Sequence, residues 1–292
     1  MRHRLPPGLA ADAGGCAGPN VAGAMAVLDA ALPVAPSIAT YHHAEWDLGE
    51  LVAAKAGGRV VVCIPARDEV RTIGAIVACI RARLLEGAGL VDEIVVVDDG
   101  SCDGTGPEAL RQGAAVVQGP GLGKGEAMLA AKGRGDYIVY LDGDVENFAA
   151  HYVSGLLGPL LCGSGHVMVK GSYTRPLGEH PTGGGRVTEL VAKPLISLLF
   201  PELGGVDQPL AGETALRADT LDQIELAGGY GVEMGLLIDV WQRWGTEAIA
   251  QVELGERRHR NRPLSELRPQ ATDVLGAALR RAGVLPRPDP RS

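Results

Sequence analysis

Ile138–Asp144 reads IVYLDGD, an apolar run without polar alternation that breaks off in two carboxylates separated by one glycine. Such a run suits a strand buried on both faces of a mainly parallel sheet. Its acidic end then falls at the carboxyl edge of the sheet, where open α/β folds bind ligands. Side chains alternate along extended backbone, so Asp142 and Asp144 are expected on one face, and Gly143 lets a nucleotide or a metal approach the main chain. Hard oxygen donors of this kind suit Mg²⁺ or Mn²⁺, which normally also hold substrate phosphates.

Working outward, the same pattern recurs. Val60–Ile64 is an apolar strand that ends in PARDE, residues 65–69, and Ile73, Ile76, Val77 and Ile80 then follow at helical spacing. Ile94–Val97 ends in Asp98 and Asp99, and the turn GSCDGT leads into a helix around Glu108–Gln112. Ala114–Val117 is a third short strand, and GPGLGKGE, residues 119–126, leads into a helix over 127–132. Strands alternating with helices at this density predict an α/β fold with a Rossmann-like nucleotide-binding sheet and right-handed crossovers. Before it, Trp46–Lys55 reads as a short helix capped by Asp47. Past residue 150 a strand is expected over His166–Lys170, a glycine-rich mobile loop over Gly178–Gly185, and a helix over Val187–Phe200 interrupted at Pro194. A helix over 232–244 stopped by Gly245, a strand over Ala248–Leu254 and a closing helix over Ser265–Arg281 complete the chain.

Composition narrows the function. Of 292 residues, 46% are hydrophobic but only 4% aromatic, so the core must be built from aliphatic side chains. A formal charge of −8 argues against nucleic acid or an anionic membrane as partner, so any phosphate must be bound locally. No apolar run reaches the roughly 18 residues of a membrane span. Cys16, Cys63, Cys79, Cys102 and Cys162 are odd in number and show no CxxC pairing, which reads as reduced, buried thiols in a cytoplasmic protein.

Several strand ends and loops carry groups suited to a nucleotide and an anion. The PARDE loop offers backbone and carboxylate to a base or ribose, though by itself it is only a strand end, and Asp98 and Asp99 are placed for a uracil edge or a ribose hydroxyl, an acidic turn being an equal reading. GPGLGKGE is not a P-loop, because Gly125 rather than Ser or Thr follows the lysine. It remains a flexible loop that presents Lys124 to an anion. GGGRVTE, residues 183–189, puts Arg186 and Thr188 at a helix start, a phosphate or carboxylate site unless the glycines are only a linker. In RRHRN, residues 257–261, His259 is either a metal ligand or a phosphate donor.

Taken in order, PARDE, VVDDGS, GKGEA, LDGD, VKGSYTRPL, GGGRVTELVAKPL, QPLAGE, GYGVEMGLLID and LGERRHRNRPL resemble the glucosyl-3-phosphoglycerate synthase family, retaining glycosyltransferases of the GT-A fold. The resemblance runs from about Trp46 to the closing helix. It implies transfer of glucose from UDP- or GDP-glucose to 3-phosphoglycerate, with Mg²⁺ or Mn²⁺ as cofactor, by a cytoplasmic homodimer; a same-fold transferase acting on another small-molecule hydroxyl is the alternative. Pro65, Ala66, Arg67, Glu69 and Asp99 would then hold the uridine, Lys124 would face the diphosphate, and Asp142 and Gly143 would bind the nucleotide sugar. Asp144 and His259 would ligate the metal. Gly185, Arg186, Val187, Thr188 and Asn261 would hold the acceptor's phosphate and carboxylate, and Glu233 and Arg257 would lie by the transferred sugar or the leaving diphosphate. On this reading residues 1–38 are a poorly ordered leader, 39–150 the nucleotide-sugar half, 151–282 the acceptor half of the same domain, and 283–292 a disordered tail. The chain departs from the family pattern in a short QGPGLG loop before Lys124, in Asp99 where serine is common, and in Thr174 where a basic residue is common. Arg186 is thus the main cation expected around the acceptor.

Overall fold

A computed structural model describes residues 37–163, 165–177, 180–183, 185–258 and 263–286, with the backbone path alone for 176, 177 and 180–183. Most of the leader, together with Cys16, His259, Asn261 and the tail from 287, lies outside the described residues, all of which belong to one compact unit beginning at Ala35. Ile38, placed in the leader by sequence, is already buried, and the first strand starts one residue later.

Ten strands are described: β1 (Ala39–His42), β2 (Val60–Ala66), β3 (Glu93–Asp98), β4 (Ala115–Gln118), β5 (Tyr137–Tyr140), β6 (Met168–Thr174), β7 (Pro176–Leu177), β8 (His180–Gly183), β9 (Thr214–Arg217) and β10 (Ile249–Glu256). Eight form one sheet in the order β1-β10-β6-β9-β5-β2-β3-β4, in which only β9 runs antiparallel to its neighbours. The strands of both halves of the chain share this sheet. β7 and β8 form a separate antiparallel hairpin where the sequence suggested an irregular glycine-rich loop.

The aliphatic runs behave as their composition demands. Val60, Val62 and Ile64 of β2 pack into one hydrophobic cluster while Val61 and Cys63 pack into the other, so both faces of the sheet are covered. Ile73, Ile76, Val77 and Ile80 line the buried side of the helix Val70–Ile80, as their spacing predicts. The later helix widens into a π-turn over Thr188–Ala192 just before Pro194, whose missing amide removes one rung of the helical ladder. Two expectations fail. Cys102 and Cys162 are exposed rather than buried, because the first sits in the polar turn after β3 and the second at a helix end. The strand of IVYLDGD stops at Tyr140, and Asp142, Gly143 and Asp144 lie on the turn beyond it.

β2 lies between β5 and β3, so the chain order reverses beside it. A crevice opens at such a switch point, and the carboxyl ends of β2 and β5 deliver Pro65 and the Asp142–Asp144 turn to its two sides. Because Ile64 is fully buried in the core on one face of β2, Ile64→Ala should lower unfolding stability by about 2–5 kcal/mol in urea titration. A loss below about 1 kcal/mol would contradict this packing.

Candidate active site

The loop after β2 is stitched to the loop after β3. Asp68 occupies the left-handed region at φ +57°, which aspartate tolerates better than most residues. Its amide donates to Ser101 Oγ at 3.0 Å and its carboxylate accepts from the Cys102 amide at 2.8 Å. The Glu69 amide donates to Thr105 Oγ1 at 2.8 Å, and the Val70 amide to Asp103 Oδ2 at 3.0 Å. Asp68 is therefore a structural residue, and Pro65, Ala66, Arg67 and Glu69 are left to line the cavity.

Asp99 lines the cavity too, but its carboxylate is engaged by the protein. One oxygen accepts from the Gly121 amide at 2.7 Å and the other from the Gly123 amide at 3.0 Å. Those glycines have φ +74° and +116°, so the loop has the backbone only glycine adopts readily, and Asp99 clamps it. Asp98 accepts from the Ser101 amide at 2.9 Å and caps its own turn.

Lys124 begins the short helix Lys124–Met128 that leaves this loop. Its Nζ bonds Asp142 Oδ1 and lies 2.6 Å from Glu233 Oε1, in the first turn of the helix Val232–Trp244. Burial alone would lower the ammonium's pKa, but Asp142 and Glu233 outweigh it and hold the group protonated.

Arg257 enters from the opposite edge. β10 carries a register shift near Gly255, which sits at φ +87°, and the Arg257 amide then donates to Thr174 O at 3.0 Å. Its Nη2 donates to Asp142 Oδ2 at 2.7 Å and to Asp144 Oδ1 at 2.9 Å. The two carboxylates thus converge through a turn and a shared cation rather than through strand alternation. Arg257 Nε forms an ion pair at 3.1 Å with Glu213, which has no solvent exposure, though without hydrogen-bond geometry. Burial pushes the Glu213 carboxyl up, with Arg257 opposing, whereas Lys124 and Arg257 overcome burial at Asp142 and hold it well below the usual carboxylate range.

Beneath the cluster Lys170, only 1% exposed, donates to Ala211 O at 3.0 Å and Thr214 Oγ1 at 3.2 Å, and burial lowers its pKa to about 8. Across the cavity, of about 480 Å³, Gly185 at φ +72° opens the helix that carries Arg186, Val187 and Thr188. Tyr230 and the residues Leu267, Gln270 and Asp273 of the closing helix Leu264–Arg281 complete the wall. Every site residue expected from sequence lines this one cavity except His259 and Asn261, which lie outside the described residues.

Residues 61–168 match the family model described as Glycosyl transferase family 2. The glucosyl-3-phosphoglycerate synthase of Mycobacterium tuberculosis is 46% identical over 267 residues, spanning 85% of this chain and 81% of that protein. The chain belongs to the glucosyl-3-phosphoglycerate synthase family of glycosyltransferases. The Petrotoga mobilis glucosyl-3-phosphoglycerate synthase is 39% identical over 259 residues, spanning 83% of this chain and 80% of that protein. A crystal structure of the Mycobacterium tuberculosis synthase with Mn²⁺, UDP-glucose and phosphoglyceric acid matches at TM-score 0.77 and 45% identity, over 87% of this chain and 89% of that one. Another, with Mg²⁺ and UDP, matches at TM-score 0.78 and 45% identity, over 87% and 89%. The sheet is accordingly the GT-A arrangement of the glucosyl-3-phosphoglycerate synthases.

The donor set of this synthase-family site fits a cation shared with a diphosphate. Among the described residues no group of three or more His, Cys, Asp or Glu could hold a metal by itself. Asp144, however, presents a carboxylate at the cavity that is 24% exposed, and Mg²⁺-like ions normally combine one or two carboxylates with substrate phosphates.

Sequence reasoning assigned no role to Gly212, Glu213, Tyr173 or Arg175, because nothing in the blocks QPLAGE and VKGSYTRPL marks which polar residue faces a partner. Gly212 shows how tight the arrangement is: a methyl group there would overlap the Asp142 carboxylate. Gly212→Ala should therefore displace Asp142 and reduce kcat/KM for the nucleotide sugar about 10- to 100-fold with the circular dichroism spectrum unchanged. Unaltered kinetics would show that Asp142 is not held from this side.

Proposed function

We propose that the chain transfers glucose from UDP-glucose to 3-phosphoglycerate with retention of anomeric configuration, giving glucosyl-3-phosphoglycerate and UDP. The observation that carries this reading is one cavity that joins a buried Lys124–Asp142–Arg257–Asp144 cluster to the Gly185–Thr188 helix start. Relatives at 39–46% identity are glucosyl-3-phosphoglycerate synthases, and one crystal structure of such a relative contains Mn²⁺, UDP and the product glucosyl-3-phosphoglycerate.

Pro65, Ala66, Arg67 and Glu69 bind the uridine, while Asp99 shapes the glycine loop beside it. Lys124 and Arg257 are fixed cations aimed at the diphosphate, and as pre-oriented charges they stabilise the negative charge that builds on UDP as it leaves. Asp144, with His259, would hold Mg²⁺ or Mn²⁺, which when bound adds Lewis-acid neutralisation of that same charge. Glu233, buried and paired to Lys124, keeps the lysine pointed into the cavity beside the sugar. Arg186, the amides of Gly185–Thr188 and Asn261 take the acceptor's anionic groups at a helix start.

The bond from the anomeric carbon to the β-phosphate oxygen breaks and a bond to the single free hydroxyl oxygen of 3-phosphoglycerate forms on the same face. The hydroxyl proton passes to the departing diphosphate, so no carboxylate nucleophile is needed. Exposed free thiols at Cys102 and Cys162 support a reducing, cytoplasmic setting, and a homodimer is the assembly that the family resemblance implies.

UDP release from UDP-glucose with Mn²⁺ should require 3-phosphoglycerate and fall at least about 100-fold when D-glycerate replaces it. Equal release with D-glycerate, or release independent of any acceptor, would overturn the assignment.

A further inference from the structure

Arg175 belongs to none of the residue sets expected from sequence, yet its side chain lines the same cavity on the acceptor side. A Cβ built on Gly185 would lie 3.4 Å from both Cδ and Nη1 of Arg175. The guanidinium is held from behind: Nη2 donates to Tyr173 Oη at 2.7 Å, and its central carbon lies 4.9 Å from the Tyr173 ring centre. Tyr173 in turn donates its hydroxyl hydrogen to Glu213 Oε2 at 2.8 Å, and Glu213 also pairs with Arg257. Arg175 Nε is buried without a hydrogen-bond partner, and among the described residues no carboxylate forms an ion pair with Arg175.

A planar fork held through Nη2 against an aromatic ring, lining the cavity with no carboxylate in ion-pair contact among the described residues, is preorganised for an oxyanion. Arg186 alone would otherwise meet an acceptor that carries a phosphate and a carboxylate. We propose that Arg175 is a second cationic acceptor-binding residue that grips the phosphate of a phosphorylated hydroxy acid beside Gly185, with Tyr173 and Glu213 as its positioning residues. The assignment supplies the positive charge missing at Thr174, and it ties the acceptor pocket through Tyr173 and Glu213 to Arg257 on the donor side. It rests on the reading of the site as a transferase for 3-phosphoglycerate.

Steady-state kinetics with UDP-glucose, Mn²⁺ and 3-phosphoglycerate test it in wild type, Arg175→Gln, Arg175→Lys and Tyr173→Phe. Arg175→Gln should raise the KM for 3-phosphoglycerate at least about tenfold and leave that for UDP-glucose within about twofold. Arg175→Lys should recover part of the loss, and Tyr173→Phe, which keeps the ring and removes the hydroxyl, should raise the acceptor KM by an intermediate factor. An unchanged acceptor KM in Arg175→Gln, or an equal rise for both substrates, overturns the proposal. Calorimetric titration with inorganic phosphate separates it from the reaction itself. A wild-type chain that fails to turn over 3-phosphoglycerate but binds phosphate more tightly than Arg175→Gln does would sink the proposed reaction and keep the anion site, whereas equal phosphate affinities would remove the site.

Discussion

One guanidinium nitrogen of Arg257 lies 2.7 Å from Asp142 and 2.9 Å from Asp144, with the fully buried Glu213 behind it. Removing any one charge from this cluster would leave the others desolvated and unmatched, which costs far more than a surface ion pair contributes. The cluster therefore constrains its surroundings. Gly212 must stay without a side chain, Gly255 must turn the chain so that Arg257 reaches across, and Lys124 must complete the balance from the glycine loop. A diphosphate entering the crevice would meet cations already aimed by their carboxylate partners, so little reorganisation would be left for the reacting state.

The sheet decides where this can happen. β2, β3 and β4 extend one way from the reversal and β5 lies on the other side, so the donor loops gather at one switch point. Within the eight-stranded sheet the one antiparallel strand, β9, sits between β5 and β6 and bridges the two parallel groups. Glu213 and Gly212 immediately precede it, and so the packing strand also sets the depth of the charge cluster. Arg175 and Arg257 are linked through a shared side chain as well, because the Tyr173 ring centre lies 4.9 Å from the central guanidinium carbon of Arg175 and 5.4 Å from that of Arg257.

Much of the first half was legible in the sequence because continuous aliphatic runs that end in acidic or glycine-rich turns leave few alternatives to buried parallel strands. The Val60–Ile64, Ile94–Val97 and Ala114–Val117 runs all appear as strands within a residue or two of their expected limits. β1 and β9 were not legible, since four residues such as Thr214–Arg217 show no period and owe their conformation to neighbours far away in the chain. The turn at Asp142–Asp144 escaped for a related reason: apolar continuity marks burial but not where extended backbone stops. Among site residues, the acidic and basic groups in family-like blocks could be named, while Glu213 acquires meaning only from Tyr173 and Arg257, about 40 positions away on either side, and Arg175 only through the Tyr173 that links it to Glu213. Asp99, expected at the nucleotide, lines the cavity and also accepts from the Gly121 and Gly123 amides, a clamp that no motif in the sequence signals.

The central claim is that Asp144 and the UDP diphosphate share one cation, poised by the Arg257 cluster. Calorimetric titration of UDP into wild type and Asp144→Asn, with and without Mn²⁺, tests this most directly. Mn²⁺ should tighten UDP binding at least about tenfold in wild type and have no such effect in Asp144→Asn. The same Mn²⁺ enhancement in both proteins would contradict it.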